Sequence, residues 1–465
     1  MTFDQIAALV VLVGVVGLMI HGRMRADVVA LTGAAVLLLL GVVRPAEVQA
    51  AFASPAIVAL AGLFVIAYAI ELSGLLGLVI RKASDVSARI GARGIWAVIG
   101  FCGSVGGFLN NTPVVVLAAP VIRDVAQSLG LSPKRFLMPL SHVTVMGGLL
   151  TLIGTSTNLL VNDMASNAGQ RSFGLFEITP VGFCIAAVGG VWLYFVGARQ
   201  LDGVAAIEEA EAARAAEEEE ARRRTTGRFR LRLPFRLPRL GEARNQTDGS
   251  GDARLGNVEL YGAADRPFQL KPAMISLGVF VLVVAAAGLG WAPISAAAFA
   301  GAVALILLRV ISPDEAYAGL RPEILLLIAG MVVIGSAMEV SGLATAGAER
   351  LIDVIRPLGP LGALIVMYGV TLFATELLSN ATVAVLMTPI AVAVAESLGV
   401  DPRPFLVTVM MAASAAFATP FGYQTNVLVY NMARYSYMDF VRVGLPLNLI
   451  TWAAAMIAIP AFFPF

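Results

Sequence analysis

Gly106-Gly107-Phe108-Leu109-Asn110-Asn111-Thr112-Pro113 and Thr375-Glu376-Leu377-Leu378-Ser379-Asn380-Ala381-Thr382 are the two stretches from which the rest of the chain can be read. Each sets a tight polar cluster inside a long apolar run. Each is followed by an apolar, helix-forming segment with a proline, Val114 to Pro120 and Val383 to Pro389. Polar backbone and amide groups at membrane depth are costly unless they line a cavity or bind a guest. Two such clusters in equivalent places predict one binding site assembled from two halves.

The composition places these clusters in a membrane. Hydrophobic residues make up 58% of the chain and charged residues 14%, and mean hydropathy is +0.84. A soluble domain carries roughly 25% charged residues. The net charge of +1 gives no electrostatic footprint for a nucleic-acid partner. Cys102 and Cys184 lie in apolar runs and read as small core residues. His21 and His142 are too isolated for a zinc site. No nucleophile–base pair or metal-ligand cluster suggests an enzyme, and no symmetric carbonyl filter or charged ring suggests a channel. The first apolar run, Ile6 to Ile20, lacks a basic leader and a small-residue cleavage site, so it reads as the first spanning helix.

Further spans are expected near 26–43 and 55–78, each close to the about 20 residues a bilayer needs. A basic loop with Arg81, Lys82, Arg89 and Arg93 follows. Residues 94–128 are apolar but broken near their middle by Asn110 to Pro113. That pattern predicts two half-length helices forming a re-entrant hairpin; a single kinked helix is the alternative. Residues 136–165 are interrupted at Gly154-Thr155-Ser156-Thr157-Asn158, which predicts an unwound stretch inside a spanning helix. The half closes with a span near 178–196. The second half repeats this plan: spans near 272–290, 293–311 and 322–343, a broken hairpin over 361–398, an unwound helix over 405–432 interrupted between Thr419 and Asn426, and a last span near 440–462.

Polar markers keep the halves in constant register to within one residue. Pro45-Ala46-Glu47 matches Pro313-Asp314-Glu315, Glu71-Leu72-Ser73-Gly74 matches Glu339-Val340-Ser341-Gly342, and Asn111 matches Asn380. Ser128-Leu129-Gly130 matches Ser397-Leu398-Gly399, and Asn158-Leu159-Leu160-Val161 matches Asn426-Val427-Leu428-Val429. An odd number of crossings per half inverts the second half against the first. The expected fold is an all-α polytopic membrane protein of two inverted repeats, 1–198 and 271–465. Each repeat has five transmembrane helices, one re-entrant hairpin and discontinuous helices, the architecture of secondary transporters.

Between them, residues 199–270 read as a cytoplasmic linker. Its parts are an Ala/Glu/Arg-rich segment, a basic segment with Pro234 and Pro238, and a polar flexible tail. The basic part suits anionic membrane lipid. With the linker inside, Arg81, Lys82, Arg89, Arg93, Lys134 and Arg135 are also inside, while Arg44, Arg171, Arg350, Arg356 and Arg403 are outside. The positive-inside rule favours that orientation, with both termini outside a plasma (inner) membrane.

Asparagine and threonine side chains, with freed backbone carbonyls, suit a hard cation such as Na⁺. Half-helix N-termini carry partial positive charge toward an anion. No Arg or Lys sits in either tip or either unwound stretch. An anion there is held by amides, hydroxyls, helix dipoles and bound Na⁺, which makes its transport depend on sodium. One Asn in an apolar helix is ordinarily a helix–helix hydrogen bond; four in matched places are not.

These motifs resemble the divalent anion/sodium symporter family of the ion transporter superfamily, which carries Ser-Asn-Thr at both hairpin tips. Here the tips are Asn110-Asn111-Thr112 and Ser379-Asn380-Ala381-Thr382. Gly147 to Asn158 resembles the family's glycine-threonine-proline-proline-asparagine loop without its prolines. Pro420-Phe421-Gly422-Tyr423-Gln424-Thr425-Asn426 resembles the sulfate-permease-like branch.

The resemblance implies a sodium-coupled symporter of a small divalent anion, sulfate or a C4-dicarboxylate, working as a homodimeric elevator. It implies two Na⁺ sites, one at Asn110, Asn111, Gly154 and Asn158, the other at Thr375, Asn380, Gly422 and Asn426. Substrate contacts fall on Asn111, Thr112, Thr155, Asn380, Ala381, Thr382, Gln424 and Thr425. A proton-coupled or sodium/proton antiporter is the alternative reading. Glu376, one turn before Asn380, is its possible coupling residue; under the symporter reading Glu376 pairs with a cation through the adjacent Na⁺ site.

Overall fold

Prolines and small polar caps start the helices, and glycines stop them. The computed structural model describes residues 2–21, 24–201, 268–343, 346 and 358–465. Residues 202–267 of the expected linker, and Arg350 and Arg356, lie outside the described residues. The first half runs through α1 (Phe3–His21), α2 (Ala26–Leu39), α3 (Pro45–Phe52), α4 (Pro55–Leu72), α5 (Leu75–Ile90), α6 (Ala92–Gly106), α7 (Asn111–Ser128), α8 (Lys134–Gly147), α9 (Ser156–Asn167) and α10 (Thr179–Trp192). The second runs through α11 (Leu270–Gly288), α12 (Ile294–Leu307), α13 (Pro313–Gly319), α14 (Pro322–Val340), α15 (Gly359–Thr375), α16 (Asn380–Leu398), α17 (Arg403–Ala413), α18 (Gln424–Ala433) and α19 (Tyr437–Phe462). Among the described residues, six helices are long and apolar enough to cross a membrane, and several shorter ones are apolar.

Ser54 caps α4 through the Ala56 amide, with Pro55 as the first helical residue. Ser312 and Glu315 form a capping box at α13, and Ser436 and Asp439 form one at α19. The turns after α4 and α14 use Gly74 and Gly342 at φ 71° and 72°, conformations that L side chains avoid. The repeat is therefore written in backbone geometry as well as in side chains. One sequence expectation changes. The basic stretch around Arg81 and Lys82 is not a loop: it belongs to α5, whose apolar positions pack on the hairpin α6–α7. Leu75, Leu76, Val79 and Ile80 give that stretch an amphipathic helical face, which keeps Arg81 and Lys82 exposed.

Inversion shows in the pairings. Helix α4 lies on α12, and α2 on α14. A Cβ placed on Gly62 would stand 2.6 Å from the Ala298 carbonyl, and one on Gly330 would stand 2.8 Å from Ala30 C. Gly62 matches Gly330, and Ala30 matches Ala298, so one small-residue crossing is made twice. Close backbone approach of this kind is how apolar helices associate where the hydrophobic effect is weak. Gly182 of α10 abuts the Leu149 carbonyl, and Gly444 of α19 abuts that of Phe417. Register shifts at this last helix because the connection before it is shorter in the second half.

Two ion pairs follow the same exchange: Lys134 with Asp439 at 4.0 Å, and Arg403 with Glu177. Each joins the start of one half's broken helix to the start of the other half's last helix. The hairpins α6–α7 and α15–α16 pack beside the broken helices α8–α9 and α17–α18. Helix α9 runs along α16, and α18 along α7.

The Gly62 crossing gives a direct test. Gly62→Ala forces its Cβ into backbone that cannot swing aside, and should cost about 1–3 kcal/mol. Gly100→Ala, in α6 with nothing within 4 Å of its Cβ position, should be neutral. Thermal unfolding of the two purified variants in detergent checks the contrast; equal midpoints would contradict the crossing.

Candidate functional site

Each unwound stretch is braced by its own asparagine. After α8 ends at Gly147, Asn158 donates from Nδ2 to the carbonyls of Gly148 (3.4 Å) and Thr151 (3.1 Å). After α17 ends at Ala413, Asn426 donates to those of Ala416 (2.9 Å) and Thr419 (3.2 Å). The separations along the chain are ten and seven residues in both cases. A carbonyl freed from a helix inside a membrane needs such a partner. The hairpin breaks are tied to the same stretches. The Thr151 hydroxyl donates to the Gly107 carbonyl, and the Thr419 hydroxyl reaches the Glu376 carbonyl at 3.2 Å. Gly107 and Glu376 are matched positions, so this tie is also made twice.

The helices that leave these breaks start on capping residues. Asn110 accepts from the Thr112 amide (3.2 Å), Ser379 from the Thr382 amide (3.2 Å), and Thr155 from the Thr157 amide (3.4 Å). The Asn110 side chain is thus occupied with its own helix, like Ser379 in the other half. The Thr382 hydroxyl lies 2.6 Å from that of Ser379 and 3.3 Å from Met19 Sδ of α1.

The halves meet at the first tip. Asn111 Nδ2 donates to the Tyr423 hydroxyl at 3.0 Å, and Thr112 Oγ1 to Gln424 Oε1 at 3.2 Å. Ser141 of α8 lies 2.8 Å from Thr425 Oγ1 and 2.7 Å from Asn426 Oδ1.

The two candidate cation positions differ in how far the protein satisfies them. In the second half, Asn380 Oδ1 accepts from Thr375 at 2.8 Å and Asn426 Oδ1 accepts from Ser141. Thr375 also lies 2.7 Å from the Ala413 carbonyl, and the Gly422 amide donates to Thr419 Oγ1 at 3.1 Å. In the first half, Asn111 Oδ1 and Asn158 Oδ1 are both buried with no partner. The carbonyls of Gly107, Gly148 and Gly154 crowd the same place. A Cβ on Gly154 would stand 2.5 Å from the Gly148 oxygen and 2.9 Å from that of Gly107. Glycine at 154 is what allows the approach. Asn111 Oδ1 stands beside Gly106 and its Nδ2 beside Gly148; amide and carbonyl oxygens without a carboxylate are a donor set from which a cage for a hard monovalent cation can be built.

Glu376 has a different environment. Its carboxylate accepts from the Ala418 amide (2.8 Å), the Thr419 amide (2.9 Å), Thr419 Oγ1 (2.8 Å) and Asn448 Nδ2 (2.7 Å). All four neighbours are donors. The carboxylate fastens the hairpin to the unwound stretch and to α19.

Sequence reasoning missed Thr151, Thr419, Ser141, Tyr423 and Asn448. Thr151 and Thr419 could have been found, because they hold one register in both halves. Tyr423 could not be found that way, since its matched residue is Thr155. Ser141 and Asn448 stand alone in apolar helices, and only tertiary structure reveals their partners.

The profile of a family described as citrate transporter matches residues 16–409 and 377–464. An uncharacterized transporter of Synechocystis is 27% identical, over 91% of this chain and 91% of that protein. Sodium/sulfate cotransporter 1 of Chlamydomonas reinhardtii is 33% identical in a local match covering 32% of this chain and 17% of that one. The crystal structure of the YdaH transporter from Alcanivorax borkumensis superimposes with a TM-score of 0.57 at 13% identity, covering 89% of this chain and 86% of that chain; the likeness is one of fold.

Glu376→Gln turns an amide N–H₂ toward donors and leaves part of a buried network unmatched. It should cost about 1–3 kcal/mol of stability. Transport should fall in maximal rate without a selective loss of sodium affinity. Thermal unfolding together with uptake against Na⁺ concentration checks this; normal stability with weakened sodium dependence alone would contradict it.

Proposed function

Because the chain belongs to the citrate transporter family, we propose that it is a sodium-coupled symporter of a small divalent anion, sulfate or a C4-dicarboxylate. One observation carries the coupling: Asn111 and Asn158 each keep a buried, unpartnered amide oxygen at the first break. A cation in this cage satisfies oxygens that no protein donor reaches. The second position uses Thr375, Asn380, Gly422 and Asn426, where a Na⁺ must displace existing hydrogen bonds. The name of the Chlamydomonas relative, a sodium/sulfate cotransporter, supports both the cation and the anion class.

The anion meets donors rather than fixed charge. Asn111, Thr155 and Gln424 supply hydroxyl and amide protons, and Thr112 does so once its bond to Gln424 opens. Asn380, Ala381, Thr382 and Thr425 lie at the matched tip and stretch. Capped half-helix N-termini at Asn110, Thr155 and Ser379 add partial positive charge. A dianion among neutral groups is poorly held until Na⁺ arrives, which couples the two fluxes. The hairpins with the broken helices form the moving unit, and α2, α4, α12 and α14 form the frame of an elevator-type homodimer. The repeats span 1–198 and 271–465, joined by a cytoplasmic linker at 199–270, with both termini outside the inner membrane.

Uptake by purified protein in proteoliposomes tests this reading. An inward Na⁺ gradient should drive anion accumulation, and Asn111→Ala or Asn380→Ala should abolish it while the protein stays monodisperse. Wild-type uptake driven by a proton gradient and indifferent to sodium, or normal transport by either variant, would overturn it.

A further inference from the structure

Matched positions 155 and 423 share a backbone and differ in side chain. Thr155 stands before α9 at φ −140° and ψ 144°, and Tyr423 stands before α18 at φ −143° and ψ 145°. Thr155 uses its hydroxyl to cap its helix. Tyr423 makes no such cap, although losing a cap costs about 1 kcal/mol. Its phenol crosses instead to the opposite half, where the Asn111 amide donates to it at 3.0 Å. Beside it, Gln424 takes the Thr112 hydroxyl at 3.2 Å.

The first tip is therefore bolted to the second unwound stretch by two bonds. The reciprocal pairing is Asn380 with Thr155 and Ala381 with Ser156. Ala381 has no polar side-chain atom, and no hydrogen bond joins Thr155 to Asn380. One tip is closed and the other open. An extended dicarboxylate places its two carboxylates on separate donor sets, so laying it across both tips breaks both bolts. A compact tetrahedral dianion presents all its oxygens around one centre and needs only one donor set. Donors for it remain. Tyr423 and Thr155 both use their hydroxyl oxygens as acceptors, from the Asn111 amide and the Thr157 amide, which leaves hydroxyl protons to donate to an anion. The amide groups of Asn111 and Gln424 keep N–H bonds unused by these two bolts.

We propose that Tyr423, with Gln424 beside it, sets the size limit of the anion site, admitting a compact tetrahedral oxyanion and rejecting an extended dicarboxylate. This rests on the symport reading above. The matched threonine at 155 shows that the backbone tolerates a small residue here, so the tyrosine's bulk and reach are the variable.

The test uses full-length protein in proteoliposomes under an inward Na⁺ gradient, with radiolabelled sulfate and succinate as probes. Wild type should take up sulfate at least about tenfold faster than succinate. Tyr423→Thr should lower that ratio about tenfold, and Tyr423→Phe, which keeps the ring, should hold the ratio while weakening sulfate affinity about tenfold. Thermal stabilisation of the same three purified proteins by each anion should give the same ranking without transport. A wild type that prefers succinate, or an unchanged ratio in Tyr423→Thr by both readouts, overturns the size limit and leaves symport standing. Wild type that neither transports nor is stabilised by either anion in sodium overturns both.

Discussion

A carbonyl freed from a helix inside a membrane must find a donor within the protein, and the structure depends on how two asparagines meet that demand. Asn158 and Asn426 each brace two carbonyls of their own unwound stretch, at the same spacings. With that bracing, a broken helix is a stable element in lipid. Its exposed ends then become available: carbonyls for a cation, capped N-termini for an anion. The hairpins add the other wall, fixed by the Thr151 and Thr419 hydroxyls. Small residues in the frame, Gly62 on Ala298 and Gly330 on Ala30, set the inverted crossing that brings the two breaks together.

Symmetry in the backbone carries asymmetry in the chemistry. In the second half the matched asparagine oxygens are filled: Thr375 serves Asn380, Ser141 serves Asn426, and Glu376 beside them collects four donors. The first half leaves Asn111 and Asn158 each with an unpartnered oxygen. Gly107 stands where Glu376 stands in the other half, so no carboxylate competes for those donors. The same backbone plan thus carries filled asparagine oxygens in one half and unfilled ones in the other.

Much of this was legible in the sequence. Apolar runs broken by Asn111 and Asn380, and by Asn158 and Asn426, gave the hairpins, the broken helices and the inversion, because polar atoms inside lipid signal their own purpose. Expected residues of the first tip and the second stretch meet in one pair, Thr112 with Gln424, while Asn111 reaches Tyr423, which the sequence did not single out. What stayed hidden depends on position in space. Ser141 and Asn448 look like isolated polar residues until folding places them against Asn426 and Glu376. Arg81 and Lys82 looked like loop residues because charge masked the apolar face of α5. Tyr423 departs from its repeat, and a departure carries no register to follow.

The central claim is that the Asn111–Asn158 cage holds sodium, and binding to the folded state must then stabilise it in proportion to the logarithm of ligand concentration. Thermal unfolding of the purified protein in detergent, measured across matched NaCl and choline chloride series, reads this directly. The midpoint should climb with sodium, stay level with choline, and lose its sodium response in Asn158→Ala. Equal rises in both salts would contradict a sodium site at this cage.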